Sequence, residues 1–184
     1  MSKCAKGFSL VELLILSSAL LVLASVAIPT INETMQYYRT ETALQMVIGQ
    51  IRQARQASVD KRTAHMVVFN LSGSVRTLQR QDFGWQEISD IPLPEKTAFH
   101  IPDGAPASGE YTPDGMGGYS PVYFRSGNSI LFRPDGTAVD AYGQVVSGIV
   151  YIAEPGKPET ARAITVFGST GRIRSWKFED GIWK

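Results

Sequence analysis

A run of about 21 apolar residues near the N-terminus, Phe8–Ile28, contains a single charged side chain, Glu12. As an α-helix this run is roughly 31 Å long, which matches the hydrocarbon core of a bilayer. A carboxylate inside such a helix is unfavourable unless it meets a cation, so it is expected to have a functional partner. The sequence therefore predicts a membrane-spanning helix with a functional carboxylate near its beginning.

The residues ahead of this run are polar and include Lys3 and Lys6. Positive charges beside a membrane helix favour the cytoplasmic side, so the bulk of the chain is expected in the periplasm. A secretory signal peptide with a weak cleavage site at Ala24–Ala27 leaves Glu12 unexplained, and so does a plain membrane anchor. A lipoprotein signal does not fit, because no apolar stretch precedes Cys4.

The sequence Gly-Phe-Ser-Leu-Val-Glu at residues 7–12 resembles the type III signal of type IV pilins and pseudopilins. The resemblance implies cleavage between Gly7 and Phe8 by a membrane prepilin peptidase, followed by N-methylation of Phe8. It also implies that Glu12 neutralises the free amino group of a neighbouring subunit. Pro29 matches a proline that interrupts the helix in this family. The implied product is an inner-membrane protein that joins other pilins or pseudopilins in a helical fibre.

A second apolar pattern follows Pro29 and predicts that the helix continues to about Val59. Its apolar residues recur at spacings of three and four: Leu44, Val47, Ile48, Ile51 and Ala54. We expect this stripe to pack on a sheet. We also expect a kink at Pro29, because proline forfeits a backbone hydrogen bond and crowds the preceding turn.

From residue 61 onward the pattern changes to short strands separated by turn residues. The predicted strands are 65–71, 74–80, 83–89, 97–101, 122–125, 129–133, 146–153, 162–168 and 172–178. Asp103–Ser120 is rich in glycine and proline and predicts a long exposed loop, with partner contact as one role for it.

The predicted fold is therefore α+β and pilin-like, with a long kinked helix packed on a C-terminal antiparallel β domain. Its parts are a leader at 1–7, a membrane-spanning and assembly helix at 8–28, the amphipathic second half of the helix at 29–60, and a periplasmic β-rich domain at 61–184.

The C-terminal third is similar to the GspH/FimT family of minor pilins and pseudopilins. The similarity lies in a strand ending in Phe132–Gly136, two further strands at 146–153 and 162–166, and the sequence Gly171–Arg174. It implies two alternative functions. One is a FimT-like pilus subunit that binds DNA for uptake through its Gly-Arg-x-Arg motif. The other is a GspH-like minor pseudopilin of the type II secretion system, with no nucleic-acid role.

Residues on the last long strand favour nucleic-acid contact. Because side chains alternate along a strand, Arg172, Arg174 and Trp176 are expected on one face, with Lys177 adjacent in sequence. Guanidinium groups bind phosphates and an indole offers a stacking surface. Residues 63–184 nevertheless contain 11 basic and 13 acidic side chains. The domain is thus net acidic, so any DNA binding must come from this local patch and is expected to be weak and salt-dependent. An alternative role of exposed arginines on an edge strand is to prevent aggregation.

Catalytic and metal chemistry find little support in the sequence. Cys4 is the single cysteine and lies in the leader, so the mature chain has no disulfide or thiolate site. His65 and His100 lack carboxylates at ligand spacing, and Asp135 and Asp140 flank a turn where aspartate is favoured for backbone reasons. We therefore predict a non-enzyme without cofactor or metal; a periplasmic enzyme on a membrane tether is the least supported class.

Overall fold

The structure is a computed structural model that describes residues 9–106, 111–125 and 127–184, the side chains of residues 26–34 excepted. The predicted cleavage site, Gly7 and Phe8, lies outside the described residues, as does the leader with Lys3 and Lys6. The chain divides into two units, Met1–Gln36 and Tyr37–Lys184. The predicted boundary at residue 61 differs from this division, because the second half of the helix is packed within the larger unit.

Helix α1 extends over Leu10–Asp60. Its end agrees with the predicted end near Val59. The helical assignment continues through Pro29, and a bend at that residue stays a prediction. Within the described part of the chain, no helix has an apolar stretch long and hydrophobic enough to cross a membrane. The predicted span, Phe8–Ile28, begins and ends with residues whose side chains are not described.

The strands found in the described residues pair antiparallel and form two sheets. Their bounds are β1 His65–Asn70, β2 Ser74–Gln81, β3 Gly84–Pro92, β4 Ala98–Phe99, β5 Val122–Phe124, β6 Ser129–Phe132, β7 Ala138–Val139, β8 Gly148–Glu154, β9 Lys157–Phe167, β10 Arg172–Glu179 and β11 Ile182–Trp183. In the described residues the first sheet has the order β3-β2-β1-β6-β7. The second has the order β11-β10-β9-β8-β4, and β5 also pairs with β8.

One hydrophobic core joins the second half of α1 to both sheets. The predicted stripe is confirmed, because all five of its residues are buried. They pack in one cluster with Val67 and Phe69 of β1 and with Val150 and Ile164 of the second sheet. A helix that lies on two sheets in this way needs a wide apolar face, which the three- and four-residue spacing supplies.

The described residues of the segment 103–120 are in part the exposed loop that its composition predicts, with Tyr111 and Tyr119 exposed, and in part buried. Thr112 and Pro113 are buried, and Met116 packs with Ile149 and Tyr151 on the face of the second sheet that points away from the main core. A 3-10 turn over Pro113–Gly115 forms the centre of the described part of this segment. Residues 112–116 therefore cover this face of the sheet, with proline and glycine in their turn, and we call the segment 103–120 the cover segment.

Two short strands were not predicted, β7 and β11, and β9 begins five residues earlier than expected. Two-residue strands carry no readable alternation, so only their pairing with a neighbour reveals them. The early part of β9 is polar and contains Pro158, which argues against a strand in isolation. Its backbone is nevertheless held by the hairpin pairing of Glu154 with Lys157.

Candidate functional site

The first described half of α1 presents an exposed apolar surface. Every side chain from Ser9 to Ser25 is exposed, and large apolar residues dominate, such as Leu10 at 79% and Leu21 at 72% exposure. The serine hydroxyls bond back to the helix itself; for example, Ser18 donates to the carbonyl of Ile15 at 2.8 Å. The segment is thus a helix whose large apolar side chains are exposed.

Glu12 is exposed on this surface, and no ion pair or side-chain hydrogen bond of Glu12 is found among the described residues. It lies in the first turn of α1, where the partial positive charge of the helix N-terminus favours a carboxylate. The predicted partner, the amino group of a neighbouring Phe8, is outside the described residues. Pro29 lies within α1, and its side chain is also undescribed.

The second candidate region is β10, whose residues 172–177 pair with β9 on one side. On the other side β11 pairs only with the end of the strand, through Phe178 and Glu179. Arg172 is exposed, and its guanidinium lies 5.8 Å from the centre of the Phe167 ring. No ion pair of Arg172 occurs among the described residues, so this cation is open to an external anion.

Arg174, by contrast, has an anionic partner within the chain. Its Nη1 atom donates to Oδ1 of Asp114 at 2.5 Å. The other carboxylate oxygen of Asp114 accepts a hydrogen bond from the Thr165 hydroxyl at 2.6 Å. The Asp114 side chain is only 9% exposed. The guanidinium predicted to bind phosphate therefore already holds a carboxylate that belongs to the cover segment.

Trp176 lies on the same face of β10 as Arg174, as alternation predicts. The guanidinium of Arg174 is 5.6 Å from the centre of the indole ring, and the indole Nε1 donates to Thr165 Oγ1 at 3.1 Å. The ring also packs with the cluster of Ile149 and Tyr151. Part of its ring surface is thus used inside the domain, which reduces the area available for stacking on a base.

Lys177 lies on the opposite face of β10, so the structure separates it from the other three predicted residues. Its ammonium pairs with Glu179 and lies 4.8 Å from the centre of the Tyr37 ring. The hydrogen bond to Glu179, followed by one to the Tyr37 hydroxyl, raises the pKa of Lys177. Lys177 was predicted beside the arginines because it is adjacent to Trp176 in sequence. Strand alternation instead places its side chain on the face that meets Tyr37 of α1.

Gly171 has a structural role in the Gly-Arg-Ile-Arg motif. Its φ is +62°, and a Cβ atom there would lie 2.7 Å from Cδ of Arg55 and 2.9 Å from the carbonyl oxygen of Gly136. Arg55 of α1 donates to the carbonyl oxygens of Gly136 at 3.1 Å and of Thr170 at 2.9 Å. Glycine is therefore required where this turn packs against the helix.

The remaining titratable candidates serve local structure. Oδ1 of Asp135 accepts from the backbone N–H of Thr137 at 2.9 Å, and Oδ1 of Asp140 accepts from that of Tyr142 at 2.9 Å. The Thr137 hydrogen bonds lower the pKa of Asp135. His65 is buried, with Nδ1 2.8 Å from the carbonyl oxygen of Thr63. The described residues contain no cluster of three metal-ligating side chains.

Sequence reasoning missed Asp114, Thr165 and Arg55. Asp114 follows a proline in a glycine-rich segment, where aspartate is ordinarily a turn former. Its pairing with Arg174 spans 60 residues and depends on how the cover segment folds back. A positive φ of 53° at Asp114 is equally invisible in the sequence. The sequence offers only a weak indication that Arg55 contacts the sheets, namely its position next to Ala54 of the apolar stripe.

No protein-family model and no curated protein matches the chain. Among solved structures, the chain is similar to the minor pseudopilin EpsH from the type 2 secretion system of Vibrio cholerae, with 14% sequence identity and a TM-score of 0.49. The overlap covers 74% of this chain and 94% of EpsH.

Proposed function

We propose that this protein is a non-enzymatic minor pilin or pseudopilin, anchored in the inner membrane by its N-terminal helix and assembled into a fibre with other pilin-like subunits. The observation that carries the proposal is the exposed apolar surface of α1 from Leu10 to Ser25, with Glu12 as its charged group. Such a surface is stable when it is buried in lipid and then against neighbouring helices. A carboxylate there contributes when a cation from another subunit meets it.

The proposed fibre rests on a general property of head-to-tail contacts between subunits. A surface that binds a different surface on the next copy or relative gives a head-to-tail contact, and repetition of that contact builds a helical filament. The proposed partners are the other pilins or pseudopilins of the fibre, the prepilin peptidase and the inner membrane. The larger unit, Tyr37–Lys184, would then lie in the periplasm.

The role of Glu12 is tested by incorporation of Glu12→Ala into sheared fibres, compared with its level in the membrane fraction. We expect normal membrane levels and loss from the fibre fraction, with Glu12→Asp retaining partial incorporation because the charge is kept. Glu95→Ala is the matched control, since Glu95 is an exposed carboxylate in the larger unit. Normal incorporation of Glu12→Ala would refute the charge-pairing role.

Processing is tested separately by the intact mass of the purified protein. The expected mass corresponds to loss of residues 1–7 and gain of one methyl group on Phe8. A bulky residue in place of Gly7 should leave the leader attached, whereas Gly7→Ala should be processed. An intact mass that still includes the leader in the wild-type protein would contradict the proposed cleavage site.

Nucleic-acid binding is a second candidate function, favoured by one observation: Arg172 is an exposed cation without an ion pair in the described residues. A phosphate there would gain a charge-assisted hydrogen bond in place of water. The patch is small, because Arg174 is paired with Asp114 and Lys177 lies on the other face of β10. Affinity should therefore be weak and should fall steeply with salt.

The test is fluorescence anisotropy of a labelled duplex with the full chain in neutral detergent at low and moderate salt. Arg172→Ala should abolish salt-sensitive binding, and Arg52→Ala, which removes an exposed arginine from α1, should leave it unchanged. Equal loss in both variants would indicate a general charge effect. No binding in any protein would leave the assembly role in a type II secretion pseudopilus as the function.

A further inference from the structure

The Asp114 carboxylate is held in place from several directions. Both of its oxygens are used, one by Arg174 at 2.5 Å and the other by Thr165 at 2.6 Å. Thr165 is fully buried and also accepts the indole N–H of Trp176. The four side chains form one continuous hydrogen-bonded chain across the outer face of the second sheet. The position of the Asp114 carboxylate is thus fixed by two partners on the sheet, Arg174 and Thr165.

The backbone supports the same position. Asp114 has a φ of 53° and a ψ of 23°, a left-handed conformation that aspartate tolerates better than most residues. The turn is closed by hydrogen bonds from Gly115 N to Thr112 O at 3.0 Å and from Met116 N to Pro113 O at 2.9 Å. Pro113 on the preceding side is buried. This hydrogen-bonded turn therefore positions the carboxylate next to Arg174.

We propose that Asp114 is an intramolecular competitor for the phosphate site on β10, occupying the guanidinium of Arg174 that a nucleic acid would otherwise bind. The inference rests on the nucleic-acid candidate function and assigns its regulation to a residue outside the Gly-Arg-Ile-Arg motif. Asp114 takes a donor of Nη1 and offsets the positive charge of the guanidinium, so a phosphate binds the remaining donors of Arg174 more weakly. With Asp114 in place, Arg172 is the stronger of the two phosphate contacts.

Displacement of Asp114 would leave a nearly buried carboxylate without its cation, which is unfavourable. A single small anion gains too little from Arg174 to offset this. A polyanion held at the same time by Arg172 gains more, because both phosphates are already linked through one backbone. The competitor therefore lowers affinity in general and favours extended polyanions over isolated ones.

The experiment measures duplex binding by anisotropy, over a series of salt concentrations, with the full chain in neutral detergent. Asp114→Asn should bind about fivefold more tightly than wild type at low salt, because one charged contact becomes available. The slope of log K against log salt should steepen by about 0.9, the value for one additional phosphate contact on duplex DNA. An unchanged slope and affinity would overturn the proposal.

A double variant separates competition from a general change in charge. In the Arg174→Ala background, Asp114→Asn should give no gain, because the guanidinium it frees is absent. Asp103→Asn removes the same charge from an exposed position of the same segment and should leave affinity unchanged. A gain that persists without Arg174, or an equal gain in Asp103→Asn, would overturn the proposal in favour of long-range electrostatics.

A third variant separates competition from loosening of the cover segment. Thr165→Val removes the hydroxyl bound to Asp114 but leaves the ion pair with Arg174 in place, so we expect no gain in affinity. A gain as large as that of Asp114→Asn would overturn the proposal. If wild type binds through Arg172 and Asp114→Asn gives no gain, the inference fails and the candidate function stands. If no variant binds, both fail together.

Discussion

Both halves of helix α1 carry large apolar side chains, and the two sets differ in their exposure. In the half from Tyr37 onward, apolar side chains such as Val47 and Ile51 are fully buried against two sheets. In the half from Leu10 to Ser25, side chains such as Leu13 and Ile15 are more than half exposed. The difference teaches that hydrophobicity identifies which surfaces must be buried, while only the fold shows which ones the chain buries itself.

The charged groups divide in the same way. Glu41 has its cation within the chain, because Nε of Arg162 donates to its carboxylate at 3.3 Å. Glu12 has none among the described residues. On β10, Arg174 is satisfied by Asp114, and Arg172 is left open. Groups without an internal partner are the ones for which we propose external ones, namely neighbouring subunits for Glu12 and phosphate for Arg172.

The largest effect is expected from a matched pair of isoleucines. Ile51→Ala should lower the free energy of unfolding by about 2–5 kcal/mol, since it opens a cavity in the main core. Ile15→Ala should change it by less than about 0.5 kcal/mol, because Ile15 is 63% exposed. Denaturant titration in detergent, followed by tryptophan fluorescence, measures both, since all three tryptophans lie in the larger unit. Equal losses of unfolding free energy in the two variants would contradict the assignment of one half of α1 as buried and the other as exposed.

A pair of glycines tests the contact between Arg55 of α1 and the turn at Gly171. Gly171→Ala should destabilise by about 2–4 kcal/mol, because the added methyl group meets Arg55 and Gly136 in addition to the strain of a positive φ. Gly181 has a φ of +81° with nothing within 4 Å of its would-be Cβ. Gly181→Ala should therefore show the backbone strain alone, about 1 kcal/mol. Equal effects in the same titration would mean that the Arg55 contact yields easily.

A pair of glutamates gives the smallest expected effect. Glu41→Ala should destabilise by about 1–2 kcal/mol, because Arg162, only 2% exposed, loses its carboxylate partner. The value is modest since the Glu41 side chain is itself partly exposed to water. Glu12→Ala should leave unfolding unchanged and act on fibre incorporation alone. A stability loss for Glu12→Ala would place a partner for Glu12 inside the chain.

Local features of the fold were readable in the sequence, and contacts between distant segments were not. The stripe at residues 44–54 was predicted because a helix repeats its apolar face every three to four residues. The face shared by Arg172, Arg174 and Trp176 was predicted from strand alternation. Division of the strands into two sheets depends on which strands pair, and no local pattern encodes that.

The candidate site shows the same limit more sharply. The motif Gly171–Arg174 was identified, but the state of its arginines depends on Asp114, which lies 60 residues away in sequence. Composition suggested that segment 103–120 was exposed, since glycine and proline are common in surface loops. The partly buried turn of this segment carries Asp114, which neutralises Arg174, one of the two arginines predicted to bind phosphate.

Arg55 has a mechanical consequence. One guanidinium bonds the turn after β6 in the first sheet and the turn after β9 in the second, while its backbone belongs to α1. A pull along the helix is therefore shared between both sheets at a single crosslink, which loads two hydrogen bonds together instead of one after the other. Simultaneous loading resists rupture better than peeling, so the helix should be drawn out of the domain at a higher force than apolar packing alone would withstand.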